Sequence, residues 1–241
     1  MRHFVMTRAS YGPEWDLETN RRRLKITAAV TARLMGLQTN YDWTWCVLLD
    51  ERDPFLERRS SLFEAFSPNF LPVLWTPSKT STSQHGGLLQ VEAEGQLLMR
   101  GHLPVDDTVL QTRLDDDDGL APDAIQRIQD AVRQPRDRRR VALMFPAGFR
   151  VWNGRMTPVR HETNAMHTLV TQPGDTLSVF GYSHRLVGEN ASVVTIDRMP
   201  GWLWVRHRDT DSGMRQADVS ISKRVRDMFP VDWSALAEVW R

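Results

Sequence analysis

The sequence predicts an α/β protein with a mostly parallel central sheet flanked by helices and a mixed C-terminal half. Three observations carry that expectation. Trp43-Thr44-Trp45-Cys46-Val47-Leu48-Leu49 is a nearly continuous apolar run ending at Asp50, which suits a central parallel strand covered on both faces. Strand-like and helix-like segments alternate as far as Val132, the order of βαβ units. From Val141 onward the segments become short strands, two of them joined by an Asn153-Gly154 hairpin signal.

His3-Phe4-Val5-Met6-Thr7 forms the first expected strand, followed by a loop from Ala9 to Trp15 containing Gly12-Pro13. A helix is expected over roughly Leu17 to Gly36, with Leu24, Ala28, Thr31 and Met35 on one face. Asp53 and Pro54 make a cap and first-turn pair for a second helix, in which Phe55, Leu62, Phe63 and Phe66 can face the sheet. Phe70 to Trp75 is a shorter strand, and Thr76 to Gly87, rich in Ser, Thr and Gly, is a loop. Leu88 to Met99 fits a helix or a hairpin equally. Thr108 to Leu114 is extended, and a helix starts at Pro122 with Ile125, Ile128 and Val132 at helical spacing. Arg133 to Arg140 reads as a solvated, charged connection. Strands follow at Val141 to Phe145, Phe149 to Trp152, Met156 to Arg160, Ser192 to Ile196 and Trp202 to Val205, and a final helix over roughly Asp218 to Met228.

With 241 residues and 41% hydrophobic content, one domain with a buried core is expected over 1–241. A net charge of +1, from 31 basic and 30 acidic residues, gives no general attraction to nucleic acid or membrane. The single cysteine, Cys46, excludes an internal disulfide, favours a reducing compartment and reads as a buried, inert thiol. Arg2 and Arg8 have no long apolar segment between them, and no run approaches a membrane span. A cytoplasmic location is therefore expected. There is no internal repeat, P-loop, GxGxxG or GxSxG.

The most informative run is Leu114-Asp115-Asp116-Asp117-Asp118-Gly119-Leu120. Packed carboxylates repel one another, so a site that keeps them ionised needs a cation. Mg2+ and Mn2+ suit oxygen ligands and keep open positions that a diphosphate can fill. An acidic turn serving only as a helix N-terminus is the simpler alternative. Bracketing Leu114 and Leu120, and the neighbouring phosphate partner Arg113, argue against it. In parallel sheets ligands bind beyond the carboxyl ends of the strands, where Thr7, Asp50 and this run all fall.

Asp115-x-Asp117 after a strand resembles the DxD motif of GT-A fold glycosyltransferases, the nucleotide-diphospho-sugar transferase fold. Thr112 to Leu120 resembles the T-R-L-D-x-D-D-x-L segment of a rhamnosyltransferase-like family. Gln38-Thr39-Asn40-Tyr41-Asp42-Trp43-Thr44-Trp45 is similar to that family's Q-T-N-x-D-F-x-W, and Asp50-Glu51-Arg52-Asp53-Pro54 to its D-E-x-x-P. Trp202-Leu203-Trp204-Val205-Arg206-His207 resembles its late strand with a Trp and a terminal His.

The resemblance implies a metal-dependent hexosyl- or deoxyhexosyltransferase that takes a UDP-, GDP- or dTDP-linked sugar to an acceptor hydroxyl with Mn2+ or Mg2+. The donor half would be residues 1–120 and the acceptor half 121–241. Asp117 would be the main metal ligand, Asp115 would share the metal or contact the ribose, and His207 would add a ligand from the C-terminal half. Asp50 would bind the base or ribose, Thr7 and Arg8 would form part of the nucleotide wall, Arg113 would meet a phosphate and Asp118 a donor hydroxyl. Four consecutive aspartates permit a register slip, which leaves Asp116 and Asp118 as substitutes. For His207, a partly buried structural histidine is the alternative. Candidate bases are His161, Glu162, Asp175, His184 and Asp209, if transfer is inverting. Trp152, Trp202 and Trp204 can stack on a sugar or pack in the core. The Thr76 to Gly87 loop would order over a bound donor.

The acceptor can be a glycan, a protein or a small molecule, and the Arg133 to Arg140 cluster keeps a nucleic acid open. Two rival readings remain. A nucleotidyltransferase would need a Gly-rich basic loop after the first strand, where only Gly12 stands. A non-enzymatic divalent-ion or carbohydrate-binding module would consume no donor.

Overall fold

The structure is a computed structural model that describes residues 1–9, 16–67, 69–76, 98–133, 140–182, 184–197, 199–207 and 219–241. Its strands are β1 (Arg2–Ala9), β2 (Thr44–Asp50), β3 (Phe70–Trp75), β4 (Val109–Arg113), β5 (Gly119–Leu120) and β6 (Arg140–Met144). They continue as β7 (Ala147–Trp152), β8 (Arg155–Arg160), β9 (Thr168–Thr171), β10 (Ser192–Thr195), β11 (Trp202–Val205) and β12 (Val219–Ser220). One sheet has the order β10-β6-β9-β4-β1-β2-β3, the other β12-β8-β7-β11-β5. In the first, β4, β1, β2 and β3 are mutually parallel, as are β6 and β10, and β9 alone runs against its neighbours.

The apolar run of β2 is explained by two cores. Along β1 and β2 the side chains alternate: Val5, Trp45, Val47 and Leu49 face the helices and the second sheet. Phe4, Met6, Cys46 and Leu48 face a second cluster with Val179, Phe180 and Val187. Period-2 alternation between two dry faces leaves few polar positions on such a strand. Cys46 is buried, and burial pushes its thiol up to about 12.

The helices are α1 (Leu17–Thr27), α2 (Arg33–Gly36), α3 (Leu56–Phe66), α4 (Ala124–Val132), α5 (Val187–Asn190), α6 (Lys223–Met228) and α7 (Trp233–Trp240). Asp16 caps α1 by accepting from the Thr19 amide at 2.7 Å. The helix expected over Leu17 to Gly36 is interrupted by a π-helical turn, Ala28–Ala32, between α1 and α2. That turn widens the helix beside the acidic run, and such insertions recur at functional sites.

Several expectations are corrected. Asp53 does not cap α3; Phe55 holds the cap position without a side-chain bond. Asp53 instead accepts from the Phe55 amide and from Arg59. Of the four apolar residues expected to face the sheet from α3 only Phe63 is fully buried, and Phe66 is exposed. The acidic run leads from β4 into the two-residue strand β5, and the helix expected from Pro122 is α4, which begins at Ala124. Strands β9 and β12 and helix α7 were not expected, and the helix placed over Asp218 to Met228 is the shorter α6. The Asn153-Gly154 turn joins β7 to β8 as expected, with φ of 47° and 72°, the left-handed pair a two-residue hairpin needs.

The loop expected over Ala9 to Trp15, the loop over Thr76 to Gly87, the ambiguous stretch after it and the Arg133 to Arg140 connection lie wholly or largely outside the described residues. The central sheet takes strands from both 1–120 and 121–241, so the two halves share one sheet.

Candidate active site

The acidic run sits at the carboxyl end of β4, beside the carboxyl end of β1, and is mounted on the π-helical turn. Thr31 on that turn donates its hydroxyl to the Asp118 carbonyl at 2.8 Å. A Cβ on Gly119 would lie 2.3 Å from Leu34 Cδ1, so a larger residue there would make the Leu34 side chain shift. From the other side, the Asp118 Oδ1 accepts from the Val205 amide at 3.0 Å, and β5 pairs with β11. The loop is thus clamped between α1–α2 and the strand that leads to His207. Helix α7 secures that strand end, with Trp240 Nε1 donating to the Arg206 carbonyl at 2.9 Å.

The four aspartates have different sets of partners, with Arg23 shared by Asp116 and Asp117. Asp115 Oδ1, a third exposed, lies 3.6 Å from Arg113 Nε and 4.0 Å from Arg8 Nη2. Both guanidiniums lie over the Phe180 ring, at 4.6 Å for Arg8 and 5.1 Å for Arg113. Asp116 is buried, accepts from Arg23 Nη2, and lies 3.9 Å from Arg59 Nη1. Asp117 Oδ2 lies 3.0 Å from His207 Nε2 and 3.7 Å from Arg23 Nη1. Asp118 turns inward to the backbone. The cations that reduce the repulsion within the run are therefore, in the first place, arginines from β1, α1, α3 and β4.

The electrostatics sort the four carboxyls. Burial pushes Asp118 well above the usual carboxylate range, reinforced by the charges of Asp117 and Asp115. Burial also raises Asp116, against the opposing pull of Arg23. Asp117 moves the other way: burial would raise it, but the hydrogen bond with His207 and the charge of Arg23 outweigh burial and hold it below the usual range. Asp117 is thus kept as an anion at the partly open end of the run.

Other expected site residues fall into two groups. Arg8 and Arg113 stand beside Asp115, whereas Thr7 is fully enclosed and accepts from Trp45 Nε1 at 2.9 Å, so it forms no wall. Asp50 is at the end of β2 but buried, with Arg52 bound to both of its oxygens at 3.0 and 2.9 Å. Among the candidate bases, Asp175 is held by Arg140 at 2.5 and 2.9 Å. Glu162 and His161 are exposed, and Asp209 lies outside the described residues. His184 is half-buried; burial, then Arg113 and Arg185, lower its pKa, and Asp115 opposes them. Trp202 is core, its Nε1 donating to the Phe145 carbonyl at 2.8 Å. Trp152 and Trp204 are half-buried, Trp204 beneath Arg206 at 5.2 Å. Buried His3 and His167 are held neutral, lowered by burial to about 3, which suits structural roles.

Sequence reasoning missed Arg23, Arg59 and Asp53. Arg59 left a signal: it stands four residues before Phe63, on the buried stripe of α3, where a charge needs a partner. Among the described residues no group of three or more His, Cys, Asp and Glu could hold a metal. Asp117 and His207 form a pair.

A family model described as "Putative rhamnosyl transferase" matches residues 8–218. The chain belongs to this family. Its fold is also that of solved glycosyltransferases of the GT-A type. Staphylococcus aureus TarS 1–349 in complex with UDP has a TM-score of 0.50 at 9% identity, over 86% of this chain and 61% of that one. Mouse xyloside xylosyltransferase 1, in its apo form, gives 0.47 at 9% identity, over 81% of this chain and 85% of that one. The chain thus spans less than two thirds of the TarS structure, and at these identities the likeness concerns the fold alone. No curated protein matches the sequence.

Proposed function

We propose that the protein is a metal-dependent glycosyltransferase that moves a sugar from a nucleotide-sugar donor to an acceptor hydroxyl. The observation that carries this reading is the Asp117–His207 pair, 3.0 Å apart, at the strand ends of a chain in a rhamnosyl transferase family. Adjacent ligands of an octahedral ion with bonds of about 2.1 Å stand at a similar separation. One carboxylate and one imidazole would hold Mn2+ more readily than Mg2+, a harder ion that favours oxygen ligands. When bound, the ion neutralises charge on the departing diphosphate.

The chain's own residues supply the rest. Arg113 and Arg8 stand beside Asp115, and they would meet phosphate or nucleotide oxygens as charge-assisted donors. Asp115 would hold these guanidiniums in place or accept from a ribose hydroxyl. Asp50 reaches the nucleotide once Arg52 yields one of its oxygens. Asp118, whose carbonyl accepts from the Thr31 hydroxyl and whose carboxyl accepts from the Val205 amide, acts as a strut. His184, half-buried, is the base we favour if transfer is inverting, because a neutral imidazole can accept a proton. The donor side would lie over residues 1–120 and the acceptor side over 121–241. Among the described residues no helix is long and apolar enough to cross a membrane.

The test is release of nucleoside diphosphate from a panel of UDP-, GDP- and dTDP-linked sugars, with UDP-sugars first because the TarS structure above holds UDP. Turnover of one donor class with Mn2+ or Mg2+, and none in EDTA, is expected. Metal-independent turnover, or binding of every donor without consumption, would remove the reading.

A further inference from the structure

Asp116 is the most deeply buried aspartate of the run, and it is the centre of a buried ion network. Arg23 from α1 forks across two neighbours: Nη2 bonds Asp116 while Nη1 lies 3.7 Å from the Asp117 oxygen that faces His207. On its far side Asp116 meets Arg59, whose side chain is fully buried and whose Nε donates to Asp53 Oδ2 at 2.7 Å. Asp53, Arg59, Asp116, Arg23, Asp117 and His207 follow one another, each within 3.9 Å of the next, from the loop after β2 to the strand end after β11.

This arrangement is poorly built for stability alone. Arg59 Nη1 and Nη2 and Asp116 Oδ2 are buried without a hydrogen bond, and Nη1 and Oδ2 stand 3.9 Å apart. Buried ions with unmatched donors and acceptors cost more than apolar side chains of the same size. What such a network does supply is orientation. With Asp116 pinned from both sides, the acidic loop cannot rotate by one residue, so Asp117 is the carboxylate presented to His207.

We propose that Arg23 is a positioning residue for the Asp117–His207 pair: by holding Asp116 and Asp117 with one guanidinium, it fixes the register of the four-aspartate run and so sets the affinity of the site for Mn2+. The inference rests on the reading of Asp117 and His207 as the metal-holding pair. Residues that orient a metal ligand typically change metal affinity ten- to a hundredfold when replaced.

The experiment measures free Mn2+ by its paramagnetic resonance signal, in the presence of UDP, for wild type, Asp117→Ala, Arg23→Gln and Arg23→Lys, with melting curves alongside. Wild type should bind and Asp117→Ala should not. Arg23→Gln should bind at least about tenfold more weakly. Arg23→Lys, which keeps the charge but cannot fork across two carboxylates, should fall between them. A folded Arg23→Gln that binds as wild type does, even with a lower melting temperature, overturns the proposal while the functional reading stands. Should Arg23→Gln fail to fold, wild-type affinity in Arg23→Lys overturns it equally. If wild type itself takes up no Mn2+, both the proposal and the reading beneath it fall.

Discussion

Asp117→Ala should leave the protein folded and stop sugar transfer. The side chain is partly open to solvent, its contacts are His207 and the outer nitrogen of Arg23, and Arg23 keeps its bond to Asp116 when Asp117 is gone. No apolar packing is lost, so the stability cost should stay near that of an ordinary polar truncation, about 1 kcal/mol. The kinetic cost should be much larger. On the proposed reading of Asp117 as a ligand that would place a cation on a developing diphosphate charge, its loss should slow kcat by about a thousandfold or more, equivalent to ~4 kcal/mol of transition-state stabilisation. Far-UV circular dichroism and a melting curve check the first half, and nucleoside diphosphate release checks the second. Near-normal turnover in a folded Asp117→Ala would assign the site to another carboxylate.

The largest effect on folding should come from Asp53→Ala. Arg59 and Asp53 are both essentially inaccessible and bonded at 2.7 Å. Removing the carboxylate leaves the guanidinium with Asp116 alone, 3.9 Å away and already bonded to Arg23. Breaking a buried pair from one side costs about 3–5 kcal/mol because a charge is left uncompensated. For a chain of this size that corresponds to a fall of roughly 10 °C in Tm. Replacing both partners, Asp53→Leu with Arg59→Met, should recover most of the loss, since the double change buries no orphaned charge. By contrast, the Asp50–Arg52 pair has a partly exposed arginine, and screening should make its rupture much milder. Equal losses for Asp53→Ala and the double variant would show that packing, rather than the charge, governs this region.

How far the fold and the site could be read from the sequence depended on how local each signal was. β1, β2, β3 and the β7–β8 hairpin announce themselves through apolar runs and one turn dipeptide. β9, in contrast, is four buried residues set between β4 and β6. Its place is set by partners dozens of residues away, and four residues are too few to show a period. α7 was missed although its Trp240 ties down the strand end that carries His207.

The same division runs through the site. The aspartate run was legible as packed carboxylates, and the inward turn of His207 follows from strand alternation after Leu203 and Val205. The partition of the four aspartates was not, because it depends on Arg23 and Arg59, whose helices approach the loop only in three dimensions. In sequence Arg23 closes an ordinary Arg21-Arg22-Arg23 cluster, which reads as a solvated surface. Thr7 failed for the converse reason: it lies at a strand end as expected, but β1 runs on to Ala9 and the side chain falls on the Trp45 face.

The central claim is that Asp117 and His207 together present one cation to a nucleoside diphosphate. Its most direct measurement is the thermal shift of wild type, Asp117→Ala and His207→Ala with UDP, GDP or dTDP, each with Mn2+ and with EDTA. A ligand at about a hundred times its dissociation constant adds ~2.7 kcal/mol, or roughly 5–10 °C for a chain of this length. The account predicts that shift in wild type for at least one nucleotide, only with Mn2+, and its loss or strong reduction in both variants. An equal shift in EDTA, or one that survives both substitutions, would contradict it.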